Sequence, residues 1–121
     1  MPTRSLHSSV LKWPALSEVD AAVQAWARRE AVRRRGLIRV GYFGSYARGD
    51  WGVGSDVDLV AVVDQAARPW AERALEWNLL DLPVPAELLV YTEAEWDALQ
   101  AAGGRFARLL ASETVWVYAR A

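Results

Sequence analysis

The stretch GSYARGDWGVGSDVDL, residues 44–59, sets two carboxylates one residue apart, Asp56 and Asp58, against the start of an apolar run, Val57 to Val63, that only Asp58 interrupts. A strand that needs burial carries a charge only against compensation, because an unpaired buried carboxylate costs several kcal/mol or forces its own neutralisation. Residues i and i+2 of a strand share a face, which projects Asp56 and Asp58 together with Cα atoms roughly 6.5–7 Å apart. A cation between them relieves the repulsion. The chain has no Cys and one His, His7 in a polar N-terminal stretch, so the expected cation is hard and oxygen-loving, Mg²⁺ or Mn²⁺, and not zinc.

Magnesium takes one or two protein carboxylates and keeps positions for water and substrate phosphates. That chemistry points to a nucleotide. Gly44-Ser45 lies where an apolar run ends, and a glycine at the start of a short helix lets backbone amides approach an anion under a favourable dipole. Arg48 adds a guanidinium suited to phosphate oxygens, and Gly49, Gly52 and Gly54 fit a tight loop that returns the chain. The competing reading is a glycine-rich hairpin loop whose aspartates face water.

These residues need elements to hold them. Leu37 to Phe43 is rich in branched and aromatic residues and reads as a first strand, with a short helix from Ser45 or Tyr46 and a second strand over 57–63. Upstream, Ser17-Glu18-Val19-Asp20 is a capping-box signal followed by apolar residues at spacings of three and four, which predicts a helix ending near Arg35 at Gly36. Its Arg28, Arg29, Arg33, Arg34 and Arg35 read as a solvated C-terminal face that favours the helix dipole. Downstream, a helix is predicted between Arg68 and Leu80 with Trp70, Ala74 and Trp77 on one face, then a strand from Glu87 to Thr92 behind Pro83 and Pro85. A capped helix from Thr92-Glu93-Ala94-Glu95 through Gln100, a helix over about 105–111 and a strand from Val115 to Tyr118 complete the pattern. Alternation of this kind predicts α/β layering, helices packed against a small mixed β-sheet.

At 121 residues the expectation is one domain spanning 1–121, with no repeat or linker to divide it. Hydrophobic residues make up 53% and charged residues 24%, a globular composition and not a disordered one. No apolar run reaches the roughly 18 residues of a membrane span and no signal peptide is evident, so the expected location is cytoplasmic, with no membrane partner. Residues 1–55 hold nine Arg/Lys against four Asp/Glu, and residues 56–121 five against eleven, for a net charge of −1. A nucleic-acid partner is not expected from that balance. With one histidine, a Ser-His-Asp site is not expected either.

Gly44-Ser45, ten residues, then Asp56-x-Asp58 resembles the signature of the nucleotidyltransferase superfamily that includes DNA polymerase beta. The fuller run, with Ser45, Ala47, Arg48, Gly49, Ser55, Asp56, Asp58 and Leu59, is similar to its small prokaryotic branch, the minimal nucleotidyltransferase antitoxins; ELLVYTEAEW resembles that family's third strand and following helix, and the ending Glu113 to Tyr118 its last strand. The resemblance implies a polymerase beta-like fold and transfer of AMP from ATP, bound with two Mg²⁺ ions, to an acceptor hydroxyl. Asp56 and Asp58 then correspond to metal ligands. Gly44, Ser45, Arg48 and Ser55 correspond to nucleotide-binding residues. Glu87 stands where the family commonly has Asp as the third metal-binding and catalytic carboxylate, and one extra methylene there displaces a ligand by about an ångström; an ordinary strand-edge charge is the other reading of Glu87. Asp64 shares the parity of the aspartates but reads as a turn residue.

By its length the chain is expected to lack the acceptor-binding domain of larger relatives, so the acceptor is expected on a separate protein. For the antitoxin branch the resemblance implies a HEPN-type RNase toxin whose tyrosine receives AMP, and it leaves room for a homodimer. The alternative is a catalytically weak antitoxin that blocks its toxin by contact alone; modification of a small molecule or RNA is a third reading. Of seven Trp, Trp51 lies in the loop beside the aspartates, where it stacks on a base, touches a partner or merely covers the loop.

Overall fold

The computed structural model describes residues 13–121; His7 lies outside them. Four strands form one mixed sheet in the order β3-β2-β1-β4, with β1 Leu37–Phe43, β2 Val57–Val63, β3 Ala86–Thr92 and β4 Val115–Ala119. β1 pairs antiparallel with β2 and with β4, while β2 and β3 run parallel. The α/β expectation, a small mixed sheet with helices against it, is met.

β2 is the element that needs burial on both sides. Val57, Leu59, Ala61 and Val63 join the cluster formed with helix α1, Leu16–Arg33, through Val19, Val23 and Trp26. The alternate residues Val60 and Val62 pack with Trp96 and Leu110 of two later helices, α3 Glu93–Ala102 and α4 Arg105–Glu113. A strand covered on both faces reads as a continuous apolar run instead of an alternating one, which makes Asp58, on the α3–α4 face, the exception to be explained. A short helix α2, Ser45–Arg48, lies between β1 and β2.

Three local expectations give way to tertiary contacts. α1 has Ala15 as its N-cap with no side-chain cap bond, in place of the capping box at Ser17. The entry is held instead from outside the helix, by Trp13 Nε1 donating to Ser55 O at 3.3 Å and Tyr46 OH donating to Pro14 O at 3.1 Å. The helix stops at Arg33, and Arg34 is drawn inward: its guanidinium pairs with buried Glu30 at 2.8 Å and lies 4.0 Å over the Trp77 ring. One residue of the solvated arginine face is thus a packing residue.

The predicted helix between Arg68 and Leu80 is a 3-10 helix, Trp70–Glu76. Trp77 leaves it in an extended conformation and is buried beside Trp26 at 5.8 Å, while Trp70 stays 44% exposed against Tyr91. The two indoles serve opposite faces of the sheet, so no single helical face could hold both. The capping box at Thr92 is present, with Glu95 N donating to Thr92 Oγ1 and Thr92 N to Glu95 Oε1. Among the described residues no helix is long and apolar enough to cross a membrane.

Candidate functional site

β1 delivers the chain to Gly44, whose φ of +81° turns it into α2 and whose N–H is buried. Left-handed backbone of this kind is open to glycine at little cost and to an L side chain only with strain. α2 is a single turn, closed by Arg48 N to Gly44 O at 3.0 Å and Gly49 N to Ser45 O at 2.9 Å. The loop that follows folds on itself, with Gly52 N donating to Ser55 Oγ at 2.8 Å and Ser55 N to Gly52 O at 3.0 Å. Ser55 is therefore fixed at the mouth of β2. Trp51 stacks on buried Tyr46, centroids 5.5 Å apart and planes 9° from parallel, and packs against the core. Of the three roles open to it, covering the loop has the contact to support it.

Asp56 is exposed and lies one residue before β2 begins, so the strand geometry expected for the Asp56–Asp58 pair applies to Asp58 alone. Asp58 pairs with Phe43 across β1 and with Glu87 across β3. In a parallel register directly adjacent residues project to the same face with strands about 4.8 Å apart, which brings two carboxylates from different strands together. Burial pushes the Asp58 carboxyl up from its ordinary range, and the charges of Glu87 and then Asp56 push it further, with Arg48 opposing. Four of the expected residues, Asp56, Asp58, Glu87 and Arg48, thus share one electrostatic field.

Beside them is a cavity of about 230 Å³ lined by Phe43, Asp58, Glu87, Leu89 and Phe106. Phe43 and Phe106 meet edge to face at 6.0 Å, so one wall is aromatic and the other carboxylate. A larger groove of about 590 Å³ lies along Leu79 to Ala86, but its lining has no titratable side chain and so no chemistry of its own. Asp64 ends β2 in a turn, accepting from Gln65 N at 2.7 Å, and takes no part in the site.

The donor set suits a hard divalent cation: Asp56, Asp58 and Glu87 offer only oxygen, and Asp58 and Glu87 are register partners on adjacent parallel strands. Among the described residues, no group of three or more His, Asp or Glu is gathered in an arrangement that would enclose a metal as it stands. Exposed Asp56 and Glu87 have the freedom to close on an ion; Asp58 is the anchored member.

Sequence reasoning missed Glu113. Its Oε1 accepts from Gly44 N at 2.8 Å and from Arg48 Nη1 at 3.3 Å, while Arg48 Nε also pairs with Asp50 at 3.1 Å. α4 runs two residues further than predicted and ends at Glu113, and β4 beside β1 brings that end to the Gly44 turn. Only the sheet order carries this information, which is why no local pattern revealed it.

The nucleotidyltransferase domain family matches residues 26–111. A candidate nucleotidyltransferase from Sulfolobus solfataricus has the same fold, with a TM-score of 0.63 at 20% identity over 87% of this chain and 84% of that one. A toxin-antitoxin structure with AMP-PNP gives a TM-score of 0.51 at 12% identity over 80% of this chain and 73% of that chain. At such identities the likeness concerns the fold. Curated proteins yield no match to the sequence.

Proposed function

The chain belongs to the nucleotidyltransferase domain family, and on that premise we propose that it moves AMP from ATP to an acceptor hydroxyl and serves as the antitoxin of a toxin-antitoxin pair. The observation that carries this reading is the pairing of Asp58 with Glu87 across the parallel strands, with Asp56 in the same field. A purely structural sheet has no use for that repulsion. Asp56, Asp58 and Glu87 are the residues that would hold Mg²⁺. When bound, the metal supplies charge neutralisation and a template for in-line displacement at phosphorus.

The chain's own groups divide the remaining work. The Gly44-Ser45 turn, Arg48 and Ser55 face the triphosphate, where the guanidinium stabilises its charge. Glu87 stands at the edge of the cavity and takes the proton of the acceptor hydroxyl as its oxygen bonds to the α-phosphorus and the bond to pyrophosphate breaks. The Phe43–Phe106 wall excludes water from that step and suits an acceptor with an apolar body, such as a tyrosine of a HEPN-type toxin. The toxin-antitoxin structure with AMP-PNP supports such a partner only through its fold.

A second reading, an antitoxin that blocks by contact alone, is favoured by the absence of a pre-gathered three-carboxylate group among the described residues. One experiment separates the two. A candidate HEPN-type toxin is incubated with this protein, ATP and Mg²⁺, with Asp58→Asn in parallel, and its intact mass is measured. Added AMP that depends on Asp58 supports transfer to a protein. A stable complex with both versions and no added mass makes the protein a contact antitoxin.

A further inference from the structure

Glu113 is a carboxylate for which the proposed chemistry has no use. Its side chain is 17% exposed and sits behind the phosphate-facing turn, on the helix that precedes β4. Gly44 N–H is buried, and a buried amide without an acceptor is costly; the acceptor it has is Glu113 Oε1 at 2.8 Å. α2, a single helical turn, is far too short to hold its own conformation. Something outside must fix it.

We propose that Glu113 is a positioning residue for the nucleotide: reaching from the end of α4, its carboxylate sets the orientation of the Gly44 turn and holds Arg48 at the rim of the site before ATP arrives. This rests on the nucleotidyltransferase reading and deepens it. A neutral acceptor would satisfy Gly44 N–H without bringing a negative charge toward a polyanion. The carboxylate's second contact, to Arg48 Nη1 at 3.3 Å, gives that charge a use, because the same oxygen shares with Asp50, paired to Arg48 Nε at 3.1 Å, in holding the guanidinium assigned to phosphate. Arg48 is half exposed, so its pair with Glu113 contributes little to stability, whereas ordering a flexible guanidinium in advance lowers the entropic cost of binding.

Both contacts require the reach of the side chain, while the charge strengthens only the half-exposed one to Arg48 and so counts for less. Two variants of the full chain divide these properties. Glu113→Asp keeps the charge and shortens the side chain by a methylene; Glu113→Gln keeps the reach and an acceptor oxygen. MgATP binding is titrated for both and for the parent protein, with thermal unfolding as the check on folding. The expected result is affinity weakened roughly tenfold in Glu113→Asp and less than about threefold in Glu113→Gln, with both folded. Parent-like affinity in both variants, tighter binding in either, or Glu113→Gln as weak as Glu113→Asp overturns the proposal. A parent protein that binds no MgATP overturns the functional reading, and this inference with it; a parent that binds while Glu113→Asp binds equally well overturns the inference alone.

Discussion

A Cβ built on Gly44 would lie 2.2 Å from Asp58 Oδ2. The turn and the anchored carboxylate are therefore close-packed, with no room for a side chain between them. Gly44→Ala has to shift Asp58 and accept a positive φ together, and each such strain costs of order 1–3 kcal/mol. The expected outcome is destabilisation of about 2–3 kcal/mol in urea unfolding, with MgATP binding weakened beyond what the lost stability explains. An unchanged unfolding midpoint would mean that the turn is free to re-form.

Asp58 titrates in the direction opposite to most native carboxylates. Its folded pKa is raised, first by burial and then by Glu87 and Asp56, so the folded protein holds a proton through a pH window in which the unfolded chain has released it. Stability accordingly falls as pH rises from the ordinary carboxylate value through the raised one. Asp58→Asn should raise the melting temperature of the metal-free protein at neutral pH by a few degrees while abolishing transfer. Mg²⁺ should stabilise the parent protein and leave Asp58→Asn unmoved; a lower melting temperature in the variant would show that Asp58 has a compensating partner.

Glu87 is exposed and its loss should leave the fold intact. If it takes the acceptor's proton, Glu87→Gln should slow single-turnover transfer by roughly 10²–10⁴-fold with an unchanged far-ultraviolet spectrum. Transfer within a factor of about three of the parent's would return Glu87 to the status of a strand-edge charge.

Far from the site, Arg73 donates to both oxygens of Glu95, at 2.6 and 3.1 Å, and to Val90 O, tying the 3-10 helix to β3 and α3. Arg73 and the Thr92 amide pull the Glu95 carboxyl down to about 2. A depressed carboxylate contributes stability above its unfolded pKa and loses it as pH falls through the folded value, here from about 4.5 to about 2. Glu95→Gln should flatten that acid limb and, because Glu95 is 44% exposed at its side chain, cost only about 1 kcal/mol at pH 7. An acid limb of the same slope in the variant would assign the loss to other carboxylates.

Trp51 and Tyr46 stack 5.5 Å apart over the loop between α2 and β2. Trp51→Ala should cost about 1–2 kcal/mol through the lost stack and packing. If covering the loop is its whole role, MgATP affinity measured on the folded variant stays within about twofold of the parent's; a larger loss would make it a base-stacking residue.

Much of this protein was legible in its sequence because the signals are local. β2, written as an apolar run broken by Asp58, and the Thr92–Glu95 capping box need only neighbours within a few residues to be recognised. The Gly44-Ser45 turn and its spacing to Asp56 and Asp58 belong to one short stretch, so the chemistry of that stretch could be argued before any fold was known. Glu87 was found only through the family resemblance, and its adjacency to Asp58 waited on the parallel register of β2 and β3.

Other features exist only in three dimensions. The start of α1 is set by Trp13 and Tyr46 contacts from the loop before β2 and from α2, Arg34 by Glu30 and Trp77, and the 3-10 segment by two tryptophans pulled to opposite faces. Glu113, nearly seventy positions from Gly44 in the chain, meets its amide because β4 lies beside β1. The sequence determined which residue types carry the chemistry, since oxygen donors, a glycine turn and an arginine are properties of side chains. Tertiary structure alone decided which of them meet, because pairing between strands far apart in the chain sets the order β3-β2-β1-β4, and that order brings distant carboxylates to one end of the sheet.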